Sequence, residues 1–523
     1  MGRYTALSFM YKDISYRRLH AAIRHFAATL AALGVKAGDV VTLCLPNVPA
    51  AVTAMYGISY IGATASILHP LTPPEAVLET MRGTDSHMLL YFDKLFPKQM
   101  DVLGKSDICV VLLSAGEYFS ALERAIIQRI NKVDNRAIKA FDGCNKVKLV
   151  RYDSRTSVAP VAAHPGKNED VCILLHSGGT TGVPKTIPIT NRMFNAESHT
   201  VVHLCQPPVL GKSGMLMVLP IFHGFGVGVC LHAMLPYGFR AVLQPAFSAE
   251  KTVRIIKRKP VTMLTGVPTM FEKMLATGKF RGRGIKKLQN AYCGGDMMPT
   301  ALKERFDKAC SDAGSPCKLY QGYGLTETVA VCCANSPFYE DRTDCIGKPS
   351  FGVQMRIAGE DDTTMPIGQK GEICVAGDTV MSGYLDGTPE GVLREYEGKV
   401  WLHTGDCGIE DADGYFHFVG RIKRMSIISG VNVYHQEIER LATLFEGVSA
   451  AAVCEVRRNG KPAVKLFVVS PNGEAIIEPL RQYLSARLTK YCVPREIAVI
   501  DNMPLTPMGK SDYKALAAGE TND

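Results

Sequence analysis

The sixteen cysteines of this chain contain no CxxC pair, and only Cys332 and Cys333 are adjacent. Zinc sites built on cysteine commonly need such spacing, so a metal site is disfavoured against reduced, buried thiols. Most cysteines sit inside apolar runs (Cys44, Cys172, Cys230, Cys374, Cys454), which is the setting of buried, reduced thiols in a cytoplasmic protein. The chain also lacks a run of Lys and Arg interleaved with aromatics. Its formal charge of +9 over 523 residues favours anionic ligands such as nucleotides without marking a nucleic-acid groove. The opening MGRYTALSFMYKD has no apolar leader, and Ala6 stands where a myristoylation signal needs Ser or Thr. The longest apolar tract, 40–68, is broken by Pro46, Asn47 and Pro49 and is rich in small residues, so it suits a buried helix better than a membrane span. The basic amphipathic stretch 121–132 reads as a solvated surface helix, and no stable membrane insertion is expected.

What is present is an alternation of strand-like and helix-like segments through the first four hundred residues. Strands are expected at 40–45, 88–92, 108–113, 215–219, 241–243 and 261–264, and helices at 49–60, 249–257 and 300–313. This pattern predicts layered α/β structure with largely parallel sheets. Glycine-bounded β pieces then appear at 371–375 and 414–419. After Gly420-Arg-Ile-Lys-Arg424 a compact unit begins: a helix with Ile438, Leu441, Leu444 and Phe445 on one face, and a hairpin about Asn459-Gly460. A second helix with Ile477, Leu480, Leu484 and Leu488 and a strand at 496–500 complete it. The length suits two to four domains, and this last unit reads as a separate small α+β domain.

The most distinctive stretch is Leu174 to Thr190, LLHSGGTTGVPKTIPIT. Glycines, hydroxyls and a lysine following an apolar run suit a phosphate-holding loop, although an ordinary glycine turn has the same composition. It is not a nucleoside-triphosphatase P-loop, because Val183 and Pro184 separate Gly182 from Lys185 and the β-branched residues and Pro188 that follow are a poor helix start. The loop should join two extended segments, with the next helix starting near Thr190 or Asn191.

Four further segments accompany the loop: YQGYGLTET (320–328), WLHTGDCG (401–408), GYFHFVGRIKR (414–424) and PLTPMGKSDYKAL (504–516). Together, in this order and spacing, they resemble the signatures of the acyl-adenylate-forming enzymes, which include acyl- and aryl-CoA synthetases, peptide-synthetase adenylation domains and luciferases. The resemblance covers essentially the whole chain. It implies a large N-terminal domain over 1–423, with layered α/β sheets and a distorted β-barrel-like part, and a small mobile α+β C-terminal domain over 424–523. The hinge would lie near Arg424, where the family more often has Asp or Lys. Relative to the family the chain starts late, since ALSFMYKDISYRRL resembles a segment normally preceded by several more turns.

The reaction so implied has two steps: a carboxylate and ATP give an acyl-adenylate and pyrophosphate, and a thiol then takes the acyl group. Ser177, Gly178, Gly179, Thr180, Thr181, Gly182 and Lys185 would hold the β- and γ-phosphates. Gln321, Gly322, Tyr323 and Gly324 would line the nucleotide site, with Tyr323 stacked on adenine. Thr326 would bond the α-phosphate, and Glu327 with Thr181 would hold Mg²⁺. Asp406 would grip the ribose hydroxyls, with Arg421 as a second nucleotide contact. Gly295 and Asp296 border the same site, where Asp296 either meets the adenine amine or caps the helix that follows. Lys510 would bridge carboxylate and α-phosphate during adenylation, and rotation about Arg424 would replace it by a face carrying Ser429 and Gly430.

The acid pocket should be lined by 219–229, Val267-Pro268, Gly294-Gly295 and 328–333, with His223 at its border. No carboxylate is visible in these segments, so an amino-acid substrate would leave its ammonium unpaired. Gly224, Gly226 and Gly228 should leave room for an aliphatic chain. Medium- or long-chain fatty acids are therefore expected, with aryl acids as the alternative. Coenzyme A is the expected acceptor, or else the pantetheine of a free carrier protein. The protein should be a monomer or homodimer.

Overall fold

The computed structural model describes residues 1–130, 133–141, 147–177, 185–428, 431–458, 461–505 and 511–518. Two large sheets carry the N-terminal part. The first has seven strands in the spatial order Lys148–Arg151, Cys109–Leu113, Ser86–Phe92, Val40–Cys44, Thr64–Ile67, Val171–Ser177 and Lys185–Thr190. All neighbours run parallel except the last pair, a hairpin. The expected strands at 40–45, 88–92 and 108–113 thus form adjacent central strands, and their unbroken apolar runs follow from burial on both faces.

The second sheet has nine strands and runs from Lys348–Pro349 at one edge to Lys12–Ser15 at the other. Its middle is parallel and holds Gly214–Met217, Arg240–Leu243, Met263–Gly266, Asn290–Cys293 and Leu319–Tyr323, while its outer pairs are antiparallel. Helices Ala249–Arg258 and Thr300–Asp312 cover it where the apolar periodicity placed them. Helix Pro49–Tyr60 opens with proline, whose missing N–H costs nothing there, and is buried along almost its whole length. It fills the space beside both sheets, which share one core containing Leu7, Phe26, Val41, Ile58, Ile173, Met215 and Tyr292. No helix among the described residues is long and apolar enough to cross a membrane.

An antiparallel five-stranded sheet follows, built on the long strand Lys399–Glu410. Its register shifts between Glu372 and Cys374 and between Cys407 and Gly408, and such bulges bend a strand and re-aim its side chains. This is the curled, barrel-like part. The small C-terminal domain has its own core of Val433, Ile438, Leu441, Val453, Leu466, Leu480 and Leu484. There helices His435–Thr443 and Ile477–Ser485 pack on the sheet Ala450–Arg458, Lys461–Val469 and Glu496–Val499. Arg458 pairs with Lys461 as expected for a tight hairpin, whose turn residues Asn459 and Gly460 lie outside the described residues. Leu444 departs from its expected core position, because the helix ends at Thr443 and leaves it 46% exposed.

Every described cysteine is a free thiol, and all but Cys109 are buried. Phe271 and Phe306 are fully buried and meet edge to face at 5.4 Å under the nine-stranded sheet. Phe306→Ala should cost about 3–5 kcal/mol, read as a lowered denaturant midpoint for unfolding of the N-terminal part.

Candidate active site

The glycine-rich loop joins two extended strands, since Ser177 stands opposite Lys185 in the hairpin. The helix after it begins at Asn191, with the Thr190 hydroxyl accepting from the Met193 amide as its N-cap. Gly178, Gly179, Thr180, Thr181 and Gly182 lie outside the described residues, as do Ser429, Gly430 and Lys510. At the foot of the loop the Lys185 ammonium sits 4.3 Å from the centre of the Tyr384 ring. The Tyr384 hydroxyl in turn donates to Glu327 Oε1 at 2.9 Å. Glu327 and Thr326 belong to a 3₁₀ turn over Thr326–Thr328 that follows strand Leu319–Tyr323. The expected phosphate lysine and metal acid are therefore tied by one tyrosine that sequence reasoning passed over.

Three residues before that turn, the Tyr323 hydroxyl donates to Asp406 Oδ2 at 2.7 Å. Asp406 has no exposed surface, and Arg421, its cross-strand partner, places Nε 3.2 Å from Oδ1. That approach lies outside hydrogen-bonding geometry, so Oδ1 has a charge partner and no hydrogen bond. Burial pushes the Asp406 carboxyl above the usual range, opposed by Arg421 and the Tyr323 hydroxyl. A buried acceptor lacking a donor, beside an exposed guanidinium, fits a ligand carrying a diol and a phosphate. Glu372, also unforeseen, accepts from the Gly405 amide at 2.7 Å and bonds His403 Nδ1 at 2.7 Å, which fixes the turn that aims Asp406.

Gln321 is buried, and its amide is committed within the protein. It accepts from the Met298 amide at 2.9 Å and donates to the carbonyls of Asp296 and Gly322. Gln321 thus staples the Gly294–Met298 turn to the strand end. Gly295 has φ +77°, the left-handed region that suits glycine. Asp296 is exposed and accepts from the Met297 amide at 2.9 Å. It does not cap the following helix, whose N-cap is Pro299. Burial raises the Glu439 carboxyl and the Tyr513 hydroxyl of the C-terminal domain, and the charge of Asp296 adds a smaller push in the same direction. His223 Nδ1 accepts from the Phe225 amide at 3.2 Å, so the neutral ring carries its proton on Nε2.

One expectation about the acid pocket is corrected. Gly224 and Gly226 do not leave room: a Cβ on Gly224 would overlap the Val329 carbonyl oxygen, and one on Gly226 that of Pro220. Gly324 likewise admits the Ala330 carbonyl. These glycines permit backbone to pack against backbone. The segments expected to line the pocket carry no carboxylate, but an acid from helix Asn191–Val202 packs against one of them: Glu197 is fully buried and accepts from the Val331 amide at 2.9 Å. The available sign was an acid in step with the buried positions Met193, Phe194, Thr200 and Val201 of that helix.

Residues 1–385 match the family of AMP-binding enzymes, and residues 437–510 match the AMP-binding enzyme C-terminal domain. The chain belongs to the AMP-binding enzyme family. Among curated proteins it is 27% identical to the long-chain-fatty-acid–CoA ligase of Bacillus subtilis, over 99% of this chain and 92% of that one. It is 30% identical to a feruloyl-CoA synthase of an Amycolatopsis species, over 95% and 92% of the two chains. Among solved structures, ATP-bound MatB from Rhodopseudomonas palustris superimposes with a TM-score of 0.82 at 22% identity, covering 98% and 95%. An anthranilate CoA ligase in complex with anthranoyl-AMP gives 0.79 at 23%, covering 99% and 94%. These two confirm the fold.

Burial moves the Glu197 carboxyl from its ordinary 4.5 to about 8. The folded state therefore holds a proton that the unfolded chain releases, and the associated stability is full below about pH 4.5 and lost as pH rises through about 8. Thermal midpoints should fall across that window. Glu197→Gln should flatten the upper part of the profile and leave the shares of Asp93, raised to about 6, and Glu117, raised to about 7.

Proposed function

We propose that this chain is an AMP-forming acid–thiol ligase that joins a carboxylic acid to coenzyme A through an acyl-adenylate. The observation that carries this reading is the buried Asp406 carboxylate, with Oδ1 lacking a donor and Oδ2 held by Tyr323, beside Arg421. Two vicinal ribose hydroxyls supply the donors that this carboxylate lacks, and Arg421 meets the adjoining phosphate. Tyr323 has its hydroxyl engaged, so its ring is held in one orientation as a surface for adenine. Glu327, oriented by Tyr384, offers carboxylate oxygen to the Mg²⁺ that arrives with ATP. Ser177, Lys185 and the loop 178–184 take the terminal phosphates, and Thr326 the α-phosphate. In-line attack by the carboxylate then needs positioning and charge neutralisation, without a side-chain nucleophile.

Lys510 supplies the cation at the reacting oxygens, and the division at 423/424 lets it leave before the thiol enters. Arg424 suits a pivot. Its guanidinium bonds Glu439 Oε1 at 2.8 Å and lies 3.5 Å from the centre of the Tyr513 ring, so its contacts travel with the small domain. Ser429 and Gly430 would line the thiol path after rotation. Medium- or long-chain fatty acids are the proposed substrates, in keeping with the fatty-acid ligases among the relatives. Aryl acids are the second reading, favoured by the closed packing at Gly224 and Gly226 and by the feruloyl-CoA synthase relative. Both readings place the enzyme in the cytoplasm, with its ATP and coenzyme A. A carrier-protein pantetheine remains the other acceptor.

Pyrophosphate release from Mg-ATP tests the reading with acids from acetate through long-chain fatty acids to benzoates and cinnamates. Acid-dependent release that accelerates with coenzyme A is expected; phosphate release without acid would overturn it. Lys510→Ala should slow adenylation by roughly 10²-fold or more while sparing thioester formation from presynthesised acyl-adenylate. Equal loss in both steps would refute the domain rotation.

A further inference from the structure

Glu197 is a buried acid packed against the 328–333 turn, and the adenylation reading leaves it without a purpose. It has no exposed surface, its Oε1 is held by the Val331 amide at 2.9 Å, and its Oε2 meets no hydrogen-bond partner. An unmatched buried carboxyl oxygen is costly, and an oxygen function arriving on a ligand would meet it.

Its surroundings say where that partner comes from. A Cβ on Gly228 would lie 3.5 Å from Glu197 Cγ and 3.0 Å from Val329 Cγ1, so the helix face, the 219–229 segment and the 328–333 turn converge on this carboxyl. The turn is strained. Val329 is fully buried at φ +66° and ψ −61°, and the Ala330 amide donates to the Thr328 carbonyl at 2.8 Å, which together make a γ-turn of the rare, unfavourable hand. A β-branched residue held in that region signals a constrained site. Glu197 anchors it from below through Val331 and leaves one oxygen over. Burial raises its carboxyl to about 8, so near neutrality it is chiefly an O–H donor in a setting that includes Val329 and the Cys332 thiol.

We propose that Glu197 is a specificity-determining residue of the acid-binding site, where Oε2–H donates to an oxygen function (hydroxyl, keto or ether) that the acid carries away from its carboxylate. The proposal rests on the acid-ligase reading above and narrows its substrate class: the preferred acid is oxygenated rather than a plain hydrocarbon. A wholly apolar acid leaves the Oε2 donor unmatched, and a site built to bond an oxygen discriminates against the analogue lacking it.

The test is acid-dependent pyrophosphate release with matched pairs: decanoate against 3-hydroxydecanoate and 10-hydroxydecanoate, and cinnamate against 3- and 4-hydroxycinnamate. In the unmodified protein, kcat/KM should favour an oxygenated member by about 10- to 100-fold, the worth of one hydrogen bond to a polar partner. Glu197→Gln, which keeps a donor, should retain that ratio within a few-fold. Glu197→Leu should erase or invert it. Equal turnover of both members in the unmodified protein would overturn the proposal whether or not the leucine variant folds. So would preference for an amino-substituted acid, or a uniform loss on all acids in Glu197→Leu, which would mark Glu197 as a support for Val331 alone. In each of these the ligase reading survives. Absence of pyrophosphate with every acid would overturn that reading, and this proposal with it.

Discussion

Asp406 is a carboxylate with no exposed surface, and its placement is the constraint around which the nucleotide site is arranged. Removing an acid from water is costly unless its oxygens are met, and here they are met from two directions. Tyr323 reaches it from the end of the nine-stranded sheet, and Arg421 from the neighbouring strand of the five-stranded sheet. The same contact therefore ties one sheet to the other and leaves Oδ1 without a hydrogen bond. Glu372 and His403 reinforce it by holding the Gly405 amide, and the register shifts at Cys374 and Gly408 turn the strand so that Asp406 looks inward. The bulges, the tyrosine and the buried acid form one device.

Much of this was legible in the residues themselves. The parallel strands announced themselves as unbroken apolar runs, and helix Pro49–Tyr60 by its small residues after a proline, because burial on all sides leaves no polar face to confuse the period. The site motifs were legible for a different reason: turns that hold phosphate or ribose need glycines, hydroxyls and acids at fixed offsets, and such offsets survive in one dimension. Tyr384, Glu372 and Glu197 were not legible. Each acts through a partner 57, 33 or 134 residues away in the chain, at a distance that only the folded sheets supply.

The glycines of 219–229 show where composition misleads. A glycine-rich apolar stretch has two physical explanations, open volume for a ligand or close approach of two backbones, and the residues cannot tell them apart. At Gly224 and Gly226 the second holds, since carbonyl oxygens occupy the space a side chain would take. The floor of the acid pocket is thereby made of main chain, rigid and correctly spaced, and its chemical character falls to the side chains that remain near it. Glu197 and the strained Val329 turn are among these, so the proposed selectivity rests on a side chain more than on cavity size.

The same reasoning applies to the junction at Arg424. Among the ties across it in the described residues, the Arg421 amide donates to Gln436 Oε1 at 2.9 Å, and Lys370 lies 3.7 Å from Glu437 and 5.8 Å from the centre of the Tyr434 ring. Such half-exposed contacts exchange readily for water, at about 1 kcal/mol or less each. By contrast Arg424 is bound within the small domain by Glu439, the Val453 carbonyl and the Tyr513 ring. A pivot anchored firmly on one side and loosely on the other turns as a unit with the part to which it is anchored. That asymmetry, rather than the identity of the pivot residue, is what the proposed rotation of the small domain requires.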